Sequence, residues 1–222
     1  IAEWGSKCTY SQSYDMWQCT SAGSVNGVSG NVDLNFWMLK TYDEQPVEVS
    51  DSNIISYSSH MQTFGWQDTV PNGYQTGVTG YSKRLEAFKI NVGSGYGDLG
   101  IRYSAHVQTY GWQDWKSNGQ LAGTAGEGKR VEAIKIELTG TQKDKYDVYY
   151  RVHAQGYGWL DWAKDGQAAG TQGYSKRIEA IQIAVVPKGS DAPGSTSRPF
   201  VKEKMSMQYS SYADGFGWMN AG

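Results

Sequence analysis

A seven-residue theme, His-x-Gln-x-aromatic-Gly-Trp, occurs three times, at His60–Trp66, His106–Trp112 and His153–Trp159. Its tryptophans lie 46 and 47 residues apart, and all three histidines of the chain head a copy. Self-similarity at a fixed period of this length constrains the architecture before any single residue does. An active site is assembled once. A residue set copied three times points to a shared scaffold, a multivalent binder, or both.

Spacing after each Trp is invariant. Glycines follow at +7, +11 and +14 (Gly73, Gly77, Gly80; Gly119, Gly123, Gly126; Gly166, Gly170, Gly173). Arg follows at +18 and Glu at +20, as Arg84/Glu86, Arg130/Glu132 and Arg177/Glu179, each followed by Ala and an apolar run. Fainter copies flank these units. Trp17, Gly23, Gly27 and Gly30 lead into Val32–Met38, and Tyr212–Trp218 is another opening half. The organisation is therefore a degenerate first unit over 1–50, three full units over 51–186, a linker or long loop over 187–199, and the opening half of a further repeat over 200–222.

Each unit carries two strand signals. In the second, Ile101, Tyr103, Ala105 and Val107 alternate with Arg102, Ser104, His106 and Gln108, a period of two. The partner run places Ile134, Ile136 and Leu138 on one face, and 86–92 and 179–185 repeat the pattern. A short strand is expected near Gln120–Ala122 and its equivalents. No stretch shows sustained helical periodicity. One such unit cannot bury its apolar face alone, so several must share a core. The expectation is an all-β, internally repeated fold, a pseudo-threefold β-prism or β-trefoil. The alternative is a small closed ring of four β units completed by the termini.

The Gly-Trp, the glycine ladder and the Arg-x-Glu-Ala motif together resemble the clostridial hydrophobic repeats with a conserved Trp (ChW repeats), over 55–92, 101–138 and 148–185. The resemblance implies an extracellular or cell-surface protein of a Gram-positive anaerobe. Such repeats accompany polysaccharide-degrading and adhesive domains, and binding of a substrate or of another protein has been proposed for them. No defined ligand is implied.

Net charge is near neutral at -2 with no basic block, which argues against binding nucleic acid through its phosphates. No apolar run approaches the roughly 20 residues needed to span a bilayer, so no membrane insertion is expected. The 16 Tyr and 9 Trp against 5 Phe favour rings with an apolar body and a polar handle, suited to wet interfaces. Cys8 and Cys19 are the only cysteines; a disulfide between them is expected in an exported chain, with two reduced buried thiols as the alternative.

By alternation, His60, His106 and His153 share a strand face with Gln62, Gln108 and Gln155, extended by Phe64, Tyr110 and Tyr157. Imidazole and carboxamide groups bond hydroxyls, and rings offer platforms for sugar C–H faces. Trp66, Trp112 and Trp159 read either as turn anchors or as part of such a site. Trp115 and Trp162 lie three residues further on, where the first unit has Thr69. A position that varies among copies is expected to face solvent, which makes these two the candidate stacking rings. Asp68, Asp114 and Asp161 either bond sugar hydroxyls or cap turns. The Arg-x-Glu pairs read as structural ion pairs. No cofactor and no metal is expected. Three identical carboxylate sets, none singled out, argue against a glycosidase pair. The functional expectation is a non-catalytic, lectin-like module for polysaccharide or glycoconjugate. The alternative is a surface protein–protein interaction or adhesion module.

Overall fold

The computed structural model describes residues 16–23, 29, 32–37, 45–203, 210–213 and 217–220. Among these, the secondary structure is all β apart from one single-turn 3-10 helix, Lys143–Lys145. Each unit is built on a long antiparallel pair. The opening strands are Ile55–Met61, Gly100–Val107 and Tyr146–Ala154. The closing strands are Leu85–Val92, Val131–Thr139 and Ile178–Pro187. The alternation read from the sequence is realised: in Ile55–Met61 every second residue is buried.

Between the long strands, each unit extends a short strand, Gln75–Gly77, Ala122–Gly123 or Ala169–Gln172. This strand joins the closing strand of a different unit. Gln75–Gly77 of unit one pairs with unit three, Ala122–Gly123 of unit two with unit one, and Ala169–Gln172 of unit three with unit two. The exchange is cyclic and complete with three units. The result is three sheets in a pseudo-threefold, prism-like arrangement rather than a closed barrel. The flanking segments are not needed to close the ring, which sets aside the four-unit alternative.

The joint between units explains two motif residues at once. Gly77 lies opposite Ala180, Gly123 opposite Ala87 and Gly170 opposite Ala133. The three alanines are those of Arg-x-Glu-Ala and are fully buried. A Cβ on Gly123 would meet the Glu86 carbonyl oxygen at 2.3 Å and the Ala87 Cα at 2.8 Å, and φ there is +98°. Glycine is needed both for approach and for conformation.

A second inter-unit tie comes from Tyr57 and Tyr103, which with Tyr150 are fully buried and equivalent in sequence. The Ile90 N–H of unit one donates to the Tyr103 hydroxyl at 3.1 Å, and that hydroxyl donates to the Gln120 carbonyl at 2.5 Å. Likewise the Ile183 N–H of unit three donates to the Tyr57 hydroxyl at 3.0 Å. The Tyr150 hydroxyl donates to the Gln167 carbonyl. Burial pushes the Tyr103 and Tyr150 hydroxyls up from the ordinary phenol range, so they remain protonated donors. One apolar cluster, including Ile55, Phe88, Ile101, Ile134, Val148 and Ile181, draws on all three units. This is the shared core the repeat requires.

Beyond the ring, Met16–Gly23 pairs with Val32–Trp37, and Ser210–Ala213 with Gly217–Asn220, each as a two-stranded antiparallel sheet. The expected Cys8–Cys19 bond lies outside the described residues. Residues 188–199 form a loop and lead into Phe200–Lys202, which adds in parallel to Ala169–Gln172.

Candidate functional site

On the outer side of each sheet, the motif residues meet in the same way. The chain leaves the opening strand through a tight turn in which Gly65, Gly111 and Gly158 all have φ of +72°. No atom crowds a Cβ at these positions, so the glycine serves backbone conformation alone. The turn returns a two-residue strand that sets Trp66 opposite His60, Trp112 opposite His106 and Trp159 opposite His153. The imidazole and indole rings meet edge to face, with centroids at 5.5, 5.4 and 5.7 Å.

A cation covers each indole. Lys89 lies 4.0 Å from the Trp66 centroid, Lys135 4.4 Å from that of Trp112, and Arg151 4.5 Å from that of Trp159. Such contacts hold a ring in a fixed plane. Trp66 is 39% exposed, and Trp112 and Trp159 are half-buried.

Behind each histidine is a buried carboxylate. Nδ1 of His60, His106 and His153 stands 3.2, 3.2 and 3.1 Å from Oε2 of Glu86, Glu132 and Glu179. The approach is close but not aligned for a hydrogen bond. The other oxygen, Oε1, accepts from Nε of Arg84, Arg130 or Arg177 at 2.8, 2.8 and 2.9 Å, and Nη2 lies at 2.7 Å in all three. Burial pushes the Glu132 and Glu179 carboxyls up. The imidazole and guanidinium beside each outweigh it and hold both below the ordinary range.

The remaining expected residues divide. Tyr110 is 56% exposed, with its hydroxyl donating to Glu127 at 2.8 Å. Phe64 and Tyr157 are half-buried and pack edge to face on Tyr81 and Tyr174. Asp68 and Asp114 are exposed. Asp161 caps a loop: it accepts from the Ser197 and Ser195 hydroxyls at 2.7 and 2.9 Å and from the Arg198 N–H at 2.7 Å. Trp115 is 39% exposed, with the Arg102 guanidinium 4.8 Å from its ring.

Trp162 corrects the expectation that this position faces solvent. It is 2% exposed, packed with Tyr149, Ala184 and Val186 and covered by Val47, Val49 and Ala192. Its backbone N–H donates to the Ser195 carbonyl at 2.8 Å. The loop after unit three folds over this ring, and unit two has no counterpart to that loop.

The profile of the Clostridial hydrophobic W family, ChW, matches residues 60–93, 106–140 and 153–187. The chain carries three ChW repeats. No curated protein and no solved structure matches it. Each matched segment runs from the motif His to the end of the closing strand or just beyond it, so it spans the indole set between an imidazole and a cation and the Ala that seats the neighbouring repeat's glycine.

Sequence reasoning overlooked the ring-covering Lys89, Lys135 and Arg151 of the ChW units. It also assigned Arg84, Arg130 and Arg177 only to ion pairs. Lys89 and Lys135 were legible as equivalent positions, three residues after the motif Glu. Arg151 occupies a different position, which no alignment of the copies would single out. A separate cavity of about 240 Å3 is lined by Glu137, Asp144, Tyr146, Asp165 and Lys188, among others. At its wall Lys188 lies 3.9 Å from Asp165 and pairs at 2.6 Å with the buried Asp147 beyond the lining, and Glu137 pairs with Arg102. Among the described residues no group of three His, Cys, Asp or Glu side chains is placed to hold a metal ion. No helix there is long and apolar enough to cross a membrane.

Proposed function

We propose that the chain is a non-catalytic, extracellular or cell-surface carbohydrate-binding module that recognises polysaccharide through exposed indoles on its outer surface. The observation that carries this reading is the fixed presentation of Trp66 and Trp115. Each ring has a cation within 5 Å of its centroid and 39% of the residue open to solvent. A pre-oriented ring flanked by polar groups binds the C–H face of a sugar with little ordering cost. Each such site is weak, on the order of millimolar, and repetition around the ring supplies avidity along a polymer. A non-catalytic role accords with the three glutamates, each held in the same pair with Arg and His and none distinguished from the others.

The test is affinity electrophoresis through gels containing plant, host or bacterial cell-wall polysaccharides. Retardation by at least one polymer, relieved in Trp66→Ala/Trp115→Ala, is expected. Free migration through every polymer overturns the reading. A protein partner retained despite glycan competition would replace it with a docking role.

A further inference from the structure

At one end of the ring, the three units jointly line a cavity of about 170 Å3. Its walls are Gln62 and Arg84, Gln108 and Arg130, Gln155 and Arg177, with Ser175. Equivalent residues from all three units contribute, so the cavity lies on the pseudo-threefold axis. The fold dictates this convergence: the Gln N–H of each unit donates to the Arg carbonyl at 2.9, 3.0 and 3.0 Å, closing the end of each long strand pair. Arg84 reaches across to unit two, where a Cβ on Gly128 would lie 3.4 Å from its Nη2.

The polar groups there are in excess. Each arginine directs Nε and Nη2 to its glutamate. Among the described residues, no Nη1 donates a hydrogen bond to another group, and the carboxamides of Gln62, Gln108 and Gln155 have no partner. The glutamates therefore fix three guanidinium planes while leaving one donor-bearing edge of each uncommitted. They also neutralise the arginine charge. Lys83, Lys129 and Lys176, each directly preceding one of the arginines, are not among the cavity's walls, and Lys83 and Lys129 lie over the Phe64 and Tyr110 rings, so the cavity offers hydrogen-bond donors rather than net positive charge. The cavity is rich in donors, enclosed by three like units, and large enough for several waters or one small ion.

We infer that this axial cavity binds one tetrahedral oxyanion, a phosphate or sulfate, either free or as the ester group of a glycan. A tetrahedral ion viewed down one of its bonds presents three equivalent oxygens, matching one guanidinium edge from each unit. The site uses none of the exposed indoles, so it stands or falls apart from the polysaccharide reading.

The test is calorimetric titration at constant ionic strength with inorganic phosphate, inorganic sulfate, galactose 6-sulfate and, as control, galactose. One ion per chain is expected from at least one anionic probe, with none from galactose. Binding of the inorganic ions points to a free anion, and binding of the sugar ester alone points to a glycan. Gln108→Glu places a carboxylate among the guanidiniums and is expected to weaken binding by about tenfold or more. Gln108→Leu, which leaves every ion pair intact, serves the same purpose should the charged variant fail to fold. Absence of saturable binding by all three anionic probes, a stoichiometry of three, or unchanged affinity in the folded variant overturns the inference.

Discussion

Units two and three carry a tryptophan at the same repeat position, three residues after the motif Trp, yet Trp115 is 39% exposed and Trp162 is 2% exposed. The aspartates beside them part in the same way: Asp114 is exposed, whereas Asp161 holds three donors from the 195–198 loop. The difference does not lie in the units themselves. It comes from chain that passes over unit three, with Val47, Val49 and the loop before Phe200 forming a lid on one ring. A repeat fixes where a side chain starts, and the neighbouring chain decides whether water reaches it.

The largest expected effect tests where the units remain equivalent. Gly123→Val and Gly170→Val each drive a side chain into the backbone of the adjoining unit. Each should cost about 4 kcal/mol or more, or abolish folding, and by equal amounts in urea denaturation. Unequal losses would break the threefold equivalence of the joint. Next, Trp162→Ala should destabilise by about 3 kcal/mol by removing a buried indole, with polysaccharide binding unchanged in the folded fraction.

Acid probes the lid itself. Hydrogen bonds from Ser197, Ser195 and the Arg198 N–H hold the Asp161 carboxyl below its ordinary value. A depressed folded pKa contributes stability that is present above the unfolded value of about 3.9 and lost as pH falls through the folded one. Protection of the 195–198 amides, relative to the intrinsic exchange rate at each pH, should therefore fall selectively as pH drops below that range. The imidazole and guanidinium that depress Glu132 and Glu179 act with the same sign on the units as a whole, so the thermal midpoint should fall over the same acid window. The smallest effect on stability is expected from Trp115→Ala, within about 0.5 kcal/mol, while its retardation by polysaccharide is diminished.

Much of the fold was legible because its logic recurs. Period-two alternation located the long strands, and invariant glycines located turns and joints. The apolar half-faces required a shared core. The cyclic exchange was not legible, because nothing in Gln75–Gly77 tells its own closing strand from that of unit three. The same limit concealed Tyr57 and Tyr103, whose hydroxyls each accept a backbone N–H from a neighbouring unit. For the candidate site, Trp66 and the His-Glu-Arg sets follow from register. Trp162 departs from the exposure that variation between copies suggests, because a covering segment outside the repeat buries it. The axial Arg and Gln set escaped notice because each pair has a local explanation, and only the symmetry brings the three together.

The hand-to-hand exchange of short strands also sets how the repeat can be counted. Remove any one unit, and one closing strand loses its guest while one short strand loses its host. Two copies would leave raw edges, and a fourth would find every seat taken.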